Sequence, residues 1–189
     1  MRALFSLLLL ALFAVSACGQ DVPEAPRNPA LRAELLKMAE RDQAARRPGG
    51  SADAMASADR ANGERMARIL DEHGWPGWAL VGEDGAQAAW LLIQHADLNL
   101  PLQRRGLALM QKAVDDGDAD PSDLAYLVDR VRVAEGRPQV YGTQWGVSAE
   151  GEWKPNTPIE NEAEVDERRA DAGLKPLRDY LAELKSLPS

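Results

Sequence analysis

Two histidines are the side chains of this chain best suited to acid–base chemistry. His73 and His95 are the only imidazoles in 189 residues, and imidazole titrates near neutral pH, as a general base requires. Each also has a structural interpretation. His73 sits at the predicted end of a helix, where a protonated imidazole is stabilised by the negative helix terminus. His95 follows Leu91 and Leu92 at helical spacing, which is typical of a histidine whose hydrogen bonds are satisfied in the core.

Gln94, Asp97 and Arg130 form a second group with binding potential. Gln94 and Asp97 are three residues apart on one predicted helix, so their side chains are neighbours there. The guanidinium of Arg130 can bind a carboxylate through two parallel hydrogen bonds if its own helix packs alongside. The alternative is that this ion pair is only a structural clamp between two helices.

The densest run of neutral hydrogen-bonding side chains follows Gly136. Gln139, Tyr141 and Gln144 lie there with Thr143, beside a tryptophan. If this run is a strand, alternation places Gln139, Tyr141 and Thr143 on one face and Gln144 on the other. Such side chains suit recognition of a peptide or a sugar. They equally suit a loop that satisfies its own backbone.

The composition excludes several function classes. The chain has 30 acidic and 22 basic residues, a net charge of −8, and no basic run that would neutralise a nucleic-acid backbone. It has no glycine-rich phosphate loop, no Gly-x-Ser-x-Gly turn and no His-Glu-x-x-His helix. The two histidines with Asp97 or Asp129 have no fixed ligating spacing. We therefore predict neither a metal nor another cofactor, and no nucleic-acid partner.

Helical patterns dominate the elements that must position these residues. Asn28 precedes a proline at the first turn, a strong helix start, whereas the pair at 62–63, Asn-Gly, weakens the middle of the second helix. The predicted helices cover residues 29–46, 52–73, 84–97, 101–116, 120–136, 161–173 and 175–185. We predict an all-α fold, an orthogonal bundle of about six or seven helices, with one short β-hairpin or ordered loop inserted after residue 136.

The N-terminus indicates an envelope location. Residues 3–15 are apolar except for Ser6, too short a run for a membrane span but typical of a signal peptide. Residues 15–18, Val-Ser-Ala-Cys, resemble the lipobox of bacterial lipoproteins, which implies acylation of Cys18. The glycine after it implies sorting to the outer membrane, facing the periplasm. The alternative is an ordinary secreted protein with a cysteine at the cleavage site.

The predicted organisation is a signal peptide at 1–17, a flexible linker at 18–28 and a single helical domain at 29–187. Acylation of Cys18 leaves the mature chain without a free thiol, since it is the only cysteine. The expected partners are the membrane, through the lipid on Cys18, and a protein or peptide.

Several stretches taken together resemble a bacterial family of helical domains of unknown function. The resemblance covers about residues 31–180 and is carried by His-Gly-Trp-Pro at 73–76, a run ending Gln-His-Ala-Asp at 94–97, Asp-Arg at 129–130 and a run ending Tyr-Gly-Thr-Gln at 141–144. It implies a helical class and the domain boundary, and it transfers no activity.

Two functions remain open from the sequence. In the first, which we favour, the chain is a lipid-anchored periplasmic module whose cleft binds a peptide, a cell-wall fragment or a protein. In the second, the same cleft belongs to a hydrolase with His73 or His95 as general base. Convergence of the two imidazoles on Asp97 or Asp129 would favour the enzyme.

Overall fold

A computed structural model describes residues 25–47 and 49–186 of the chain. Cys18, the predicted signal peptide and most of the predicted linker lie outside these residues. In the described part the prediction of an all-α fold with a short hairpin is confirmed. The elements are α1 (Pro29–Ala45), α2 (Ala52–His73), α3 (Trp78–Gln94), α4 (Leu100–Asp115), α5 (Pro121–Ala134), β1 (Trp145–Val147), β2 (Trp153–Pro155), α6 (Val165–Asp171) and α7 (Leu177–Ser186).

Local signals set the beginnings of α1, α4 and α5. The Asn28 carboxamide accepts the amide hydrogen of Leu31, and Asn99 does the same for Leu102. Asp120 caps α5 in the same way. A proline occupies the first turn of each of these helices, where its missing N–H costs nothing.

The core lies among α1 to α5, and α3 packs against α1, α2, α4 and α5. Its fully buried members are large apolar side chains from all five helices: Leu35, Met66, Ile69, Leu92, Ile93, Met110 and Leu127. Glycines allow close approach at two places. Gly63 lies beside Leu102, and Gly106 lies against Ile93, so α4 approaches both α2 and α3 closely.

The structure corrects the predicted start of α3. The helix begins at Trp78, not at residue 84, because Asp118 supplies a cap from the loop after α4. Its carboxylate accepts the amide hydrogen of Ala79 at 2.7 Å, and its carbonyl accepts that of Trp78 at 3.1 Å. Gly82, with φ of 75°, then kinks the helix. The break considered at residues 62–63 does not occur, since α2 is continuous there.

Both of the structures expected after residue 136 are present. Residues 139–144 form a loop, and strand pairing begins at Trp145, which lies opposite Pro155 in an antiparallel hairpin. One detail of the C-terminal part differs from prediction. Asn161 does not cap a helix through its side chain. It adopts a left-handed conformation with φ of 40° before a short 3-10 turn that leads into α6.

None of the helices in the described residues combines the length and apolar character needed to span a bilayer.

Candidate functional site

The C-terminal end of α3 gathers the polar residues predicted to bind a ligand. Gln94 is its last residue, His95 is its C-cap and Asp97 follows in the connection to α4. The imidazole and the carboxylate project to different neighbours. His95 contacts α1, and Asp97 contacts α5.

Arg130 joins this end of α3 to the loop at 139–144. Its guanidinium lies 3.0 Å from one carboxylate oxygen of Asp97 and donates to the other at 3.2 Å. It also donates to the carbonyl of Gln94 at 3.2 Å and to Oε1 of Gln144 at 3.1 Å. The side chain of Arg130 is 29% exposed and that of Asp97 is 55% exposed. The structure therefore brings four of the predicted residues together at a surface that solvent reaches.

Gln94 takes part mainly through its backbone. Its carbonyl accepts from Arg130 and, at 3.1 Å, from the buried carboxamide of Gln103. That carboxamide also donates to Asp97 at 3.3 Å. The side-chain Oε1 of Gln94 is buried without a hydrogen-bond partner among the described residues. Gln103, which the sequence did not single out, thus helps to fix the α3–α4 connection.

Gln139 has a structural role. It is fully buried, and its amide nitrogen Nε2 donates to the carbonyls of Gln144 and Thr157, each at 3.0 Å. Its Oε1 accepts the amide hydrogen of Gln144 at 2.7 Å. A ligand cannot reach Gln139 in this arrangement. The alternation that in a strand would place it on one face with Tyr141 and Thr143 does not apply, because these residues lie in a loop.

Asp129 of α5 holds the loop at 139–144 through hydrogen bonds to its backbone. It is fully buried on α5 and accepts the amide hydrogens of Val140 at 2.7 Å, Tyr141 at 3.2 Å and Thr143 at 2.9 Å, as well as the Thr143 hydroxyl at 3.0 Å. A buried carboxylate requires such donors. Its contacts place Gln144 beside Arg130.

Tyr141 is directed elsewhere. Its side chain is half-buried and lines a cavity of about 250 Å³ with Arg168 and Asp171, which does not include Arg130. Burial, with the charge of Asp129, raises the pKa of its phenol. The predicted group of Gln139, Tyr141 and Gln144 therefore separates, and Gln144 alone reaches Arg130.

Arg169 of α6 and Tyr180 of α7 support the loop from the C-terminal helices. Arg169 is fully buried and donates to the carbonyls of Tyr141 and Lys175, both at 2.7 Å. Its guanidinium lies 5.0 Å from the ring centre of Tyr180, whose hydroxyl donates to the Thr143 carbonyl. Burial lowers the pKa of Arg169. Tyr126 makes edge contacts with both Tyr180 and Trp90.

His95 is hydrogen-bonded to Asp42, a residue that the sequence did not single out. Its Nδ1 lies 2.7 Å from Oδ2 of Asp42, which is 1% exposed. Arg46 donates to the other oxygen of Asp42 at 2.9 Å and to Asp59 at 2.7 Å. Burial alone would raise the pKa of Asp42. His95, Arg46 and Gln43 outweigh that effect, and the pKa is lowered.

The two histidines do not converge. His73 ends α2 just before α3 begins, and its Nε2 lies 3.7 Å from the exposed Glu72. His95 lies at the other end of α3, so the length of that helix, on the order of 20 Å, separates them. Only His95 belongs to the cluster at the α3 terminus. Over the described residues, no three His, Cys, Asp or Glu side chains are placed to hold a metal ion.

No curated protein and no solved structure matches the chain. A family described as a family of unknown function, DUF6624, matches residues 29–187, which is most of the chain and the domain expected from the sequence. The chain therefore belongs to the DUF6624 family, whose function is unknown.

Proposed function

We propose that this chain is a lipid-anchored binding module of the periplasm that takes a carboxylate of a peptide or cell-wall fragment at Arg130. The observation that carries the proposal is that the guanidinium of Arg130 is held by two protein acceptors and is still partly exposed to solvent. Gln94 and Gln144 hold it in place. A ligand therefore meets a donor group whose orientation is already set.

Asp97 acts as the internal substitute for the ligand. Its carboxylate occupies the two-donor position on Arg130, and it stands on the short connection between α3 and α4. An ion pair this exposed contributes about 1 kcal/mol or less. A ligand carboxylate can therefore displace it at little cost.

Nuclear magnetic resonance of the Arg130 Nε–H group tests where the ligand binds, and calorimetric titration measures the affinity of the wild type and of each variant. The probe is N-acetyl-dialanine with a free carboxylate, compared with the same peptide as its amide. We expect the carboxylate to shift the Arg130 signal and Arg130→Gln to abolish binding. Asp97→Asn should bind about fivefold more tightly, since the competing charge is gone.

Arg104→Gln is the matched control, because Arg104 is an exposed arginine paired with Glu135. Equal shifts from the acid and the amide, or unchanged binding by Arg130→Gln, would contradict the proposal. Recovery of envelope partners by the acylated protein gives a second readout. Gln144→Ala should reduce it, and Tyr141→Ala should have little effect because Tyr141 lines another cavity.

The anchor is tested separately. Metabolic labelling with a palmitate analogue should mark the wild-type protein and fail with Cys18→Ala. A mature wild-type protein without label would refute acylation and leave the binding site at Arg130 to stand by its own test.

A second candidate function is hydrolysis with His95 as general base. It is favoured by the 2.7 Å contact with Asp42, which orients the ring and leaves Nε2 without a hydrogen-bond partner among the described residues. A panel of ester and amide substrates should then be turned over by the wild type and not by a folded His95→Gln variant. His73→Gln is the control, since His73 lies away from this cluster. Absence of turnover in the wild type over the panel counts against the enzyme.

A further inference from the structure

A cavity of about 460 Å³ lies between α1 and α2, away from Arg130. Its volume falls in the range of small-molecule sites. Its apolar walls are Met38 of α1 and the small side chains Ala54, Ala58 and Ala61 of α2. These alanines keep the two helices from filling the space between them.

Asn62 lines this cavity and is 8% exposed. Its Nδ2 is buried and has no hydrogen-bond partner among the described residues. An unmatched buried donor destabilises the fold, and a ligand that accepts its hydrogen bond removes that cost. The last torsion of an asparagine is broad, and binding would require the amide to turn until its nitrogen meets a ligand oxygen in the cavity.

Two arginines, Arg41 and Arg65, line the same cavity. Arg65 binds Glu34 through two hydrogen bonds, at 2.6 and 2.9 Å, and lies 3.8 Å from Glu72. The hydrogen bond from Arg65 lowers the pKa of Glu34, and the charges of Arg68 and Arg41 act in the same direction. Among the lining residues Arg41 and Arg65 are positive and Glu34 is negative, a local excess of one positive charge on a chain whose net charge is −8.

We propose that this cavity binds a small organic monocarboxylate with an apolar tail. The carboxylate would pair with Arg41, which lines the cavity and forms no ion pair with any described residue, and would accept an amide hydrogen from Asn62. The tail would lie against Met38 and the alanines of α2. One excess charge matches a single carboxylate, and the apolar walls distinguish this ligand from an inorganic anion.

Calorimetric titration with octanoate tests the site. The matched probes are octanamide, which has the same tail without the charge, and inorganic phosphate, which has charge without a tail. We expect saturable binding of octanoate and at least about tenfold weaker binding of the other two. Arg41→Gln should weaken octanoate binding roughly fivefold, and Asn62→Leu roughly tenfold or more.

Arg178→Gln on α7 is the control of equal charge change, since its side chain is 91% exposed and paired with Asp179. It should bind octanoate as the wild type does. Asn62→Leu is tested for a cooperative melting transition. If it does not fold, Arg41→Gln against Arg178→Gln decides. Absence of octanoate binding, equal binding of octanamide, or equal losses in the two arginine variants would overturn the proposal.

Discussion

Replacing Asp129 by asparagine should be among the most destabilising single changes in this chain. Oδ1 of the fully buried carboxylate accepts the amide hydrogens of Val140 and Tyr141, and Oδ2 accepts the amide and the hydroxyl of Thr143. The substitution keeps the shape of the side chain. It removes the charge and exchanges one of these two oxygens for an NH₂ group.

The cost follows from the number of donors. If Oδ1 is exchanged, the amide of Val140 loses its acceptor while that of Tyr141 keeps Oδ2; if Oδ2 is exchanged, the amide and the hydroxyl of Thr143 lose theirs. A hydrogen bond to a charged group contributes about 1.5–3 kcal/mol, so the loss of one or two of them should lower the free energy of unfolding by roughly 1.5–6 kcal/mol. For a domain whose total stability is about 5–15 kcal/mol, this is a large fraction.

Urea unfolding followed by far-ultraviolet circular dichroism measures this change. Hydrogen exchange locates it, because the amides of Val140 and Thr143 should exchange much faster in the variant than in the wild type. Asp116→Asn is the control, since its carboxylate lies in an exposed ion pair with Lys112, and it should leave stability unchanged. A loss below about 1 kcal/mol, with exchange at the wild-type rate, would refute the role assigned to Asp129.

Two further predictions concern a buried carboxyl and two helical glycines. Burial, together with the negative charge of Asp120, raises the pKa of Asp123 to about 7. The folded state thus holds this proton more tightly than the unfolded state, and stability should fall as pH rises from about 4 to about 7. Asp123→Asn should remove this pH dependence and be the more stable protein at pH 8 in thermal melts; a parallel pH profile would contradict this. Gly63→Ala should stabilise by about 0.5–1 kcal/mol, since its Cβ would meet Leu102 at 3.6 Å. Gly106→Ala should destabilise by about 1–3 kcal/mol, since its Cβ would lie 2.7 Å from Ile93. Urea unfolding checks both, and changes of the same sign would show that the packing at α4 has been misread.

The sequence predicted those features whose cause is local. Asn28 and Asp120 each cap a helix within three residues of their own position, so their effect is visible in a short window of sequence. The predicted start of α3 was wrong because the residue that caps it, Asp118, lies 39 residues after Ala79, whose amide it accepts. A cap supplied by tertiary contact leaves no signal next to the helix that it begins.

The loop at 139–144 shows the same limit. Its alternating sequence favours a strand, but the backbone donors that a strand would pair are taken by Asp129 from α5. The pairing of Asp97 with Arg130 was nevertheless foreseeable as a conditional statement, because a guanidinium and a carboxylate on adjacent helices satisfy each other. The sequence alone did not show that the end of α3 packs beside α5.

The buried polar residues that build the site do carry a local signal, though an incomplete one. Asp42 follows Leu31, Leu35 and Met38 at the spacing of a single buried helix face, so the pattern places a carboxylate where an apolar side chain is expected. Asp129 and Arg169 likewise stand four residues after a buried apolar residue of their own helix. A charge in such a position must find a partner, because an unpaired buried charge is prohibitively costly. The pattern therefore predicts that a partner exists. Its identity depends on how the helices are arranged: His95 for Asp42, backbone amides for Asp129 and backbone carbonyls for Arg169.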